Sequence, residues 1–420
     1  MNDLRRIAAA SMIGTTLEYF DFAVYSALSA IVFNRIFFPT FDPTVGTILA
    51  FATFAVGYLS RPLGGLIFGR LGDRRGRRLV LTATLTLMGL STLLIGLLPT
   101  YHTAGVISPA LLVTLRFVQG MALGGEWAGA VLLSLEHGSA AHRGRDASWA
   151  NMGPALGTLL ATGLVALITL VQSADSFQSW GWRIPFLLSA ALVGFGLWVR
   201  SGVDETPPFL KLRARRAVVD APIREALRLY WRRLLIAAGA RIGPDVQYSM
   251  LAVFTLTYLT KSLHQPLALA LTAVFVGGAC NALAVPCFGA LSDRFGRRPV
   301  YGGGVVLGLG WALLYFRLLD SLNLALILVA VVSGFLIHAM MYGPQAAFIT
   351  EQFPTKVRYA SSSLAYTTVG IVGGGPAPLI FTALMRSHGT TAVSAYMAAV
   401  LGVSAAVILI ARETSRLPLE

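Results

Sequence analysis

A short charged turn, Gly69-Arg70-Leu71-Gly72-Asp73-Arg74-Arg75-Gly76-Arg77-Arg78, lies between two long apolar runs, and it recurs 220 residues later as Gly289-Ala290-Leu291-Ser292-Asp293-Arg294-Phe295-Gly296-Arg297-Arg298. Chance seldom repeats G-x-L-x-D-R-x-G-R-R in an apolar chain. A repeat at half the chain length predicts two similar halves.

The surroundings of the repeat place both halves in a bilayer. The chain has 420 residues, 55% hydrophobic and only 12% charged, with a mean hydropathy of +0.70. So few charges cannot cover a soluble globule of this size. The net charge of +14 does not point to nucleic acid, because the arginines sit in short loops between apolar runs rather than on one soluble face. Cys280 and Cys287 are seven residues apart, about 10 Å along a helix and too far for a disulfide within it; they read as small packing residues. The first apolar run carries Glu18 and Asp21, which a cleaved signal sequence would not.

Twelve apolar runs are long enough to span, near 11–33, 44–68, 79–98, 108–134, 148–171, 183–200, 234–260, 266–290, 299–316, 324–350, 359–385 and 391–411. Lipid leaves a helix as the way to satisfy their backbones. The chain is therefore expected to be an all-α membrane protein of twelve transmembrane helices in two six-helix, pseudo-symmetric bundles. The N-terminus, the loops after even-numbered helices and the C-terminal tail hold 25 of the 33 basic residues, which puts both termini in the cytoplasm. Arg61, Arg116 and Arg241 fall inside apolar runs. The division is 1–200 for the first bundle, 201–233 for a basic central loop, and 234–420 for the second bundle with a short cytoplasmic tail. Asp204 to Phe209 should break the sixth helix, and 210–230 reads either as an amphipathic helix on the anionic inner leaflet or as a solvated basic linker.

Helix one contains Gly14-Thr15-Thr16-Leu17-Glu18-Tyr19-Phe20-Asp21-Phe22. Arg61-Pro62-Leu63-Gly64-Gly65 leads into the first charged turn, and helix four has Arg116-Phe117-Val118-Gln119-Gly120 and Gly124-Gly125-Glu126-Trp127. Trp180 to Phe186 precedes helix six, and Glu351-Gln352-Phe353-Pro354-Thr355-Lys356-Val357-Arg358-Tyr359 follows helix ten. With the repeated D-R-x-G-R-R these segments resemble the major facilitator superfamily along the whole chain. The finer resemblance is to its metabolite:proton symporter branch, bacterial importers of organic acids, shikimate-like acids and zwitterionic osmolytes. Gly153-Pro154-Ala155-Leu156-Gly157 in helix five also resembles the core of the superfamily's antiporter motif, although Trp149 stands where that motif has an earlier glycine.

An ionised carboxylate at a helix centre costs roughly 2.5 to 3.5 kcal/mol, so it faces a wet cavity or a partner. Glu18 and Asp21, three apart, share one face of helix one, with Tyr25 a turn further; two like charges so close suit proton capture, and the competing reading is an ion pair with Arg116. The resemblance gives Arg116 a part in proton coupling, where it can hold a carboxylate ionised but not carry the proton. Glu126, among glycines, reads as coupling or as helix pairing. Adding the repeat offset to Asp21 reaches Arg241, so the two are expected at similar depth facing one cavity. Arg241 is read as receiving an anionic substrate group or as self-contained with Asp245. Gln119, Asn281, His338, Tyr342 and Tyr25 complete the candidate substrate residues, with Tyr19, Trp127 and Tyr248 as further cavity aromatics. Gly69, Asp73, Arg74, Arg77, Arg78, Asp293, Arg294, Arg297 and Arg298 are the candidate gating residues; the resemblance implies that such clusters hold the cytoplasmic side shut.

The expected activity is secondary active transport: symport of a small organic acid or zwitterion with protons, by alternating access in a bacterial inner membrane, as a monomer. The alternatives are a proton-driven efflux antiporter and a transport-dead sensor. The sequence holds no phosphate loop, metal-ligand cluster or nucleophile triad, and neither an enzyme, a cofactor nor a metal is expected.

Overall fold

The computed structural model describes residues 2–41 and 43–419, and the described residues contain helices and turns but no strand. The first half comprises α1 (Asn2–Leu28, continuing through a π-turn at Ser29–Phe33 into Asn34–Phe37), α2 (Pro43–Arg75), α3 (Arg77–Leu97), α4 (Ile107–His137), α5 (Arg143–Val171) and α6 (Ile184–Ser201). The second comprises α7 (Trp231–Ser249, drawn out by π-turns at Met250–Phe254 and Tyr258–Ser262), α8 (Leu267–Phe295), α9 (Arg297–Asp320) and α10 (Leu324–Glu351). α11 starts as Arg358–Val369 and passes a π-turn at Gly370–Gly374. The last helix, Ala377–Ile410, is broken at Gly389, whose φ of 72° lies in the left-handed region; 377–388 completes α11 and 390–410 is α12. Twelve crossings result, as the apolar runs predict.

Most crossings are apolar enough to span by composition alone, including α3 to α6, α8 to α10 and the fused stretch 358–410. The three others, α1, α2 and α7, carry Glu18 and Asp21, Arg61, and Arg241 and Asp245.

The repeated turn is a single glycine between two helices. Gly76 and Gly296 have φ of 115° and 101°, a conformation that a side chain would strain. A glutamate from the far end of the same half then caps the next helix. Glu205 accepts the backbone N–H groups of Arg77 and Arg78 at 3.0 and 3.2 Å, and Glu413 accepts those of Arg297 and Arg298, both at 2.9 Å. Glu413 lies in the tail; burial lifts its carboxyl, but the N–H groups of Ser415, Arg297 and Arg298 outweigh that and hold it below the ordinary value.

The halves meet along two equivalent seams, α2 on α11 and α5 on α8, while α1 packs on α5 and α2 on α4 within the first half. At Gly124 of α4 an added Cβ would lie 2.0 Å from the carbonyl oxygen of Arg61. That close approach holds the Arg61 turn of α2 against α4. The central loop forms two short helices, Pro207–Ala214 and Pro222–Leu229, rather than one continuous amphipathic helix. The second packs beside α2, α7 and α11, and its Glu225 pairs with Lys356 at 2.6 Å.

Candidate transport site and gate

A cavity of about 130 Å³ lies between the halves. Tyr19, Tyr58, Arg61 and Asn151 line it from the first half, and Arg241, Asp245, Tyr248, Asn281, His338, Tyr342 and Tyr366 from the second. Tyr366 closes one side: its ring stacks on Trp127 with centroids 3.7 Å apart, and its hydroxyl lies 3.4 Å from that of Tyr19 and 3.5 Å from that of Tyr342. Trp127 donates to Asn151 at 3.0 Å, and Asn151 donates to the carbonyl of Tyr342 at 2.8 Å, so this aromatic floor ties α4 and α5 to α10.

The two cavity arginines are in opposite states. Arg241 is spent on its own helix: Nε donates to Asp245 Oδ1 at 2.9 Å and Nη2 meets Oδ2 at 2.9 Å. Its Nη1 donates to the carbonyl of Tyr366. Of the two readings of Arg241, the self-contained pair is the one realised in this conformation. Among the described residues, no carboxylate forms a salt bridge with Arg61. Its guanidinium is wedged over the rings of Tyr58 and Phe22 at 3.9 and 4.6 Å; the residue is 8% exposed, and Nε and Nη2 have no hydrogen-bond partner.

Asn281 donates to the carbonyl of Phe335 at 2.7 Å and lies 2.9 Å from His338 Nδ1, while His338 stacks on Tyr342. These three are therefore both packed and cavity-lining. Tyr25 and Gln119 are not in the cavity. They belong to a chain inside the first half in which Arg116 donates to Gln119 at 3.0 Å, Gln119 to Thr92 at 2.6 Å, and Thr92 to Asp21 at 2.8 Å. Ser189 also donates to Asp21, Arg116 lies over the Tyr25 ring at 4.1 Å, and the Tyr25 hydroxyl is 2.5 Å from that of Thr53.

The expectation that Asp21 faces Arg241 across the cavity does not hold, because Asp21 turns away toward α3 and α6, where two hydroxyls satisfy it. Nor do Glu18 and Asp21 act on one environment. Glu18 turns to Glu126, within side-chain hydrogen-bonding reach of it. Glu126 is held by Arg200 and by the Thr84 hydroxyl at 2.5 Å. Arg200, the last residue of the run read as helix six, is buried, and Glu126 beside Glu18 meets it rather than Arg116.

Where both termini lie, the repeat builds two equivalent latches. Asp73 accepts the N–H groups of Tyr359 and Ala360 at 3.1 and 2.9 Å, capping α11 of the other half. Asp293 accepts those of Gly144 and Arg145 at 2.7 and 2.9 Å, capping α5. Beside each is a buried carboxylate between two arginines. Glu136 meets Arg77 at 3.4 Å and Arg358 at 3.0 Å, and Glu351 meets Arg297 at 3.1 Å and Arg143 at 3.4 Å. Gly69 allows the seam to close, since a Cβ there would lie 2.8 Å from the Cα of Ala360. This face is sealed.

Four expected gating residues do not bridge the halves. Arg78 and Arg298 bond carbonyls at the ends of α6 and α12 in their own halves, Arg74 pairs with Asp220 of the central loop at 3.2 Å, and Arg294 lies over the neighbouring Phe295 ring. Glu136, Glu351, Arg143 and Arg358 were missed; each like pair is 215 residues apart, five short of the offset between the repeated turns.

Residues 7–221 match the family described as sugar (and other) transporters, and residues 245–419 match the major facilitator superfamily. The chain is 38% identical over 417 residues to the shikimate transporter of Escherichia coli K12, covering 98% of this chain and 95% of that one. The chain belongs to the major facilitator superfamily. It is likewise 36% identical to the inner membrane metabolite transport protein YhjE of E. coli K12, across 99% of this chain and 95% of that one. A proline/betaine transporter of the same organism is 35% identical, covering 99% and 85%. Among solved structures, the proton:xylose symporter XylE bound to a bromodeoxyglucose superposes with a TM-score of 0.79 at 18% identity, covering 100% of this chain and 98% of that one. The inward-open form of XylE from E. coli gives 0.65 at 18% identity over 99% and 98%. This superfamily member is thus a transporter and not an enzyme.

Proposed function

We propose that this transporter imports a small organic acid together with protons, its halves rocking about the central cavity. The observation that carries the substrate class is Arg61, a buried guanidinium at the cavity wall whose Nε and Nη2 have no hydrogen-bond partner among the described residues. A bidentate carboxylate suits such a fork. Solutes named for the relatives, shikimate, proline and betaine, share a carboxyl group, which supports this reading. The cavity, about 130 Å³, is well below the roughly 300 Å³ at which sites for drug-sized ligands begin. The helix-five glycines of the antiporter-like segment have a packing use: a Cβ at Gly157 would lie 2.4 Å from the carbonyl oxygen of Thr16.

Direction follows from charge. With the arginine-rich face in the cytoplasm, the latches close the inner side of an inner-membrane protein, and the inward proton gradient drives uptake through the buried acids of the first half. Asp21, wired to Arg116 through Thr92 and Gln119, belongs to that machinery.

Proteoliposomes carrying the protein test this with mono- and dicarboxylates, shikimate-like acids, betaines and cationic drugs. Proton uptake accompanying a carboxylate solute is expected. Arg61→Ala should weaken apparent affinity roughly 100-fold, the effect of losing two charged hydrogen bonds. Proton release driven by a cationic drug, with no response to any carboxylate, would overturn the reading.

A further inference from the structure

The first half contains a cluster that substrate recognition does not use: Glu18 on α1, Glu126 on α4 and Arg200 on α6, all buried. Glu126 Oε1 is bonded by Arg200 Nη2, and Glu126 Oε2 accepts from Thr84. Arg200 Nη1 donates to the carbonyl of Leu81 at 2.7 Å, so its charge is anchored at this spot. Glu18 lies beside Glu126, within side-chain hydrogen-bonding reach, and its Oε1 has no hydrogen-bond partner among the described residues.

Two features of this arrangement need a proton. Ionised carboxylates only accept, so a hydrogen bond between two carboxyl groups requires a proton on one of them. The charge count agrees: two carboxyls face one guanidinium, and with both ionised the buried cluster would keep an uncompensated negative charge. Three of the other titratable groups are engaged elsewhere, and Arg61 stands apart from the cluster, held over the rings of Tyr58 and Phe22. Asp21 on α1 is occupied by Thr92 and Ser189, and Tyr359 on α11 donates to the carbonyl of Gly125 at 2.7 Å. Arg241 on α7 is paired with Asp245. Arg61 on α2 shares a small side cavity with Glu18, together with Tyr19 and Tyr366.

We propose that Glu18 and Glu126 form one proton-binding unit, a single proton shared by the two carboxyls, with Arg200 balancing the charge that remains. The proton arrives and leaves through Glu18, since Glu18 lines the side cavity and Glu126 does not. Protonation forms an O–H bond at a Glu18 oxygen from a cavity water or hydronium, and deprotonation returns it; nothing else changes. Arg200 and Thr84 are positioning groups. On the reading that a carboxylate solute binds at Arg61, losing the proton places a negative charge beside that solute and favours its release, which links the two cargoes.

Infrared difference spectra of the purified protein in lipid, titrated with pH and without any solute, test the unit. A carbonyl band of a protonated carboxyl is expected in the wild type and absent from both Glu18→Gln and Glu126→Gln, because each variant leaves one carboxylate balanced by Arg200. In Arg200→Gln, where the cation bonded to Glu126 is gone, both carboxyls hold protons and the band should roughly double. A band that survives unshifted in Glu126→Gln, or no band lost in either variant, would overturn the proposal; size-exclusion profiles and thermal transitions of the isosteric variants establish that they are folded. The spectra contain no solute, so their outcome is independent of the substrate class. Wild-type liposomes that move no carboxylate while the band behaves as expected would defeat the Arg61 reading alone.

Discussion

The sealed terminal face and the middle of the membrane solve the problem of buried charge differently. At the terminal face three devices come twice: Asp73 and Asp293 cap a helix of the opposite half, Glu136 and Glu351 each join two arginines, and Glu205 and Glu413 cap the helices after the glycine turns. In the membrane centre nothing is paired by the repeat. The first half holds the acids Glu18, Asp21 and Glu126 with Arg61, Arg116 and Arg200; the second offers a closed Arg241 to Asp245 pair beside Asn281 and His338. The repeat holds at the terminal face, where both halves pack on each other alike, and the interior has diverged, where the buried acids Glu18, Asp21 and Glu126 lie in one half and both halves line the cavity.

The largest effects should come from the central asymmetry, through the two cavity arginines. Arg241→Ala leaves Asp245 buried without its partner and should destabilise the protein by about 3 to 5 kcal/mol, read as a lower thermal transition in detergent. Arg61→Ala strands no buried carboxylate, and its thermal transition should stay near that of the wild type while uptake falls. Equal destabilisation by the two variants would erase the distinction between a paired structural cation and an open receptor.

The same contrast explains what was legible in the sequence. Hydropathy and arginine placement revealed twelve crossings, and the turn at Gly389 falls between the last two apolar runs. The repeat exposed Asp73, Arg77, Asp293 and Arg297 because the gate is symmetric. It misled at Asp21 and Arg241, whose positions correspond but whose surroundings have diverged: Asp21 found hydroxyls from α3 and α6, whereas Arg241 found Asp245 one turn away. Arg200 escaped notice because a charge at a helix end reads as a loop charge, and only packing shows that it folds back to Glu126. Arg61 was visible as a charge inside an apolar run, but its lack of a partner is a property of three-dimensional packing alone.

Smaller effects are expected at the latches. Asp73→Asn and Asp293→Asn each remove the charge from a pair of cross-seam helix caps, a loss on the order of 2 kcal/mol for closure. Asp73 should matter more, since its side chain and that of Arg77 are fully buried whereas that of Asp293 is 9% exposed. Distances between spin labels on the terminal-face ends of α2 and α11, and of α5 and α8, should lengthen in both variants, because rigid halves cannot open one seam alone. Lengthening confined to the seam that carries the mutation would show the latches to be independent and break the symmetric reading of the gate.

The smallest effects lie in the intra-half caps, where the repeat predicts equality. Glu205→Gln and Glu413→Gln each weaken a carboxylate cap on two backbone N–H groups, a change of about 1 kcal/mol. For Glu413 the pH dependence has a definite sign. Its carboxyl is held below the ordinary value of 4.5 in the folded chain, so its contribution is fully present above that value and is lost as the pH falls through the lowered one. Thermal transitions of the wild type and Glu413→Gln should therefore differ at neutral pH and converge in acid. A gap that stays constant through the acid range would mean that Glu413 holds the tail by packing rather than by charge, and the duplication at the terminal face would then be one of shape more than of electrostatics.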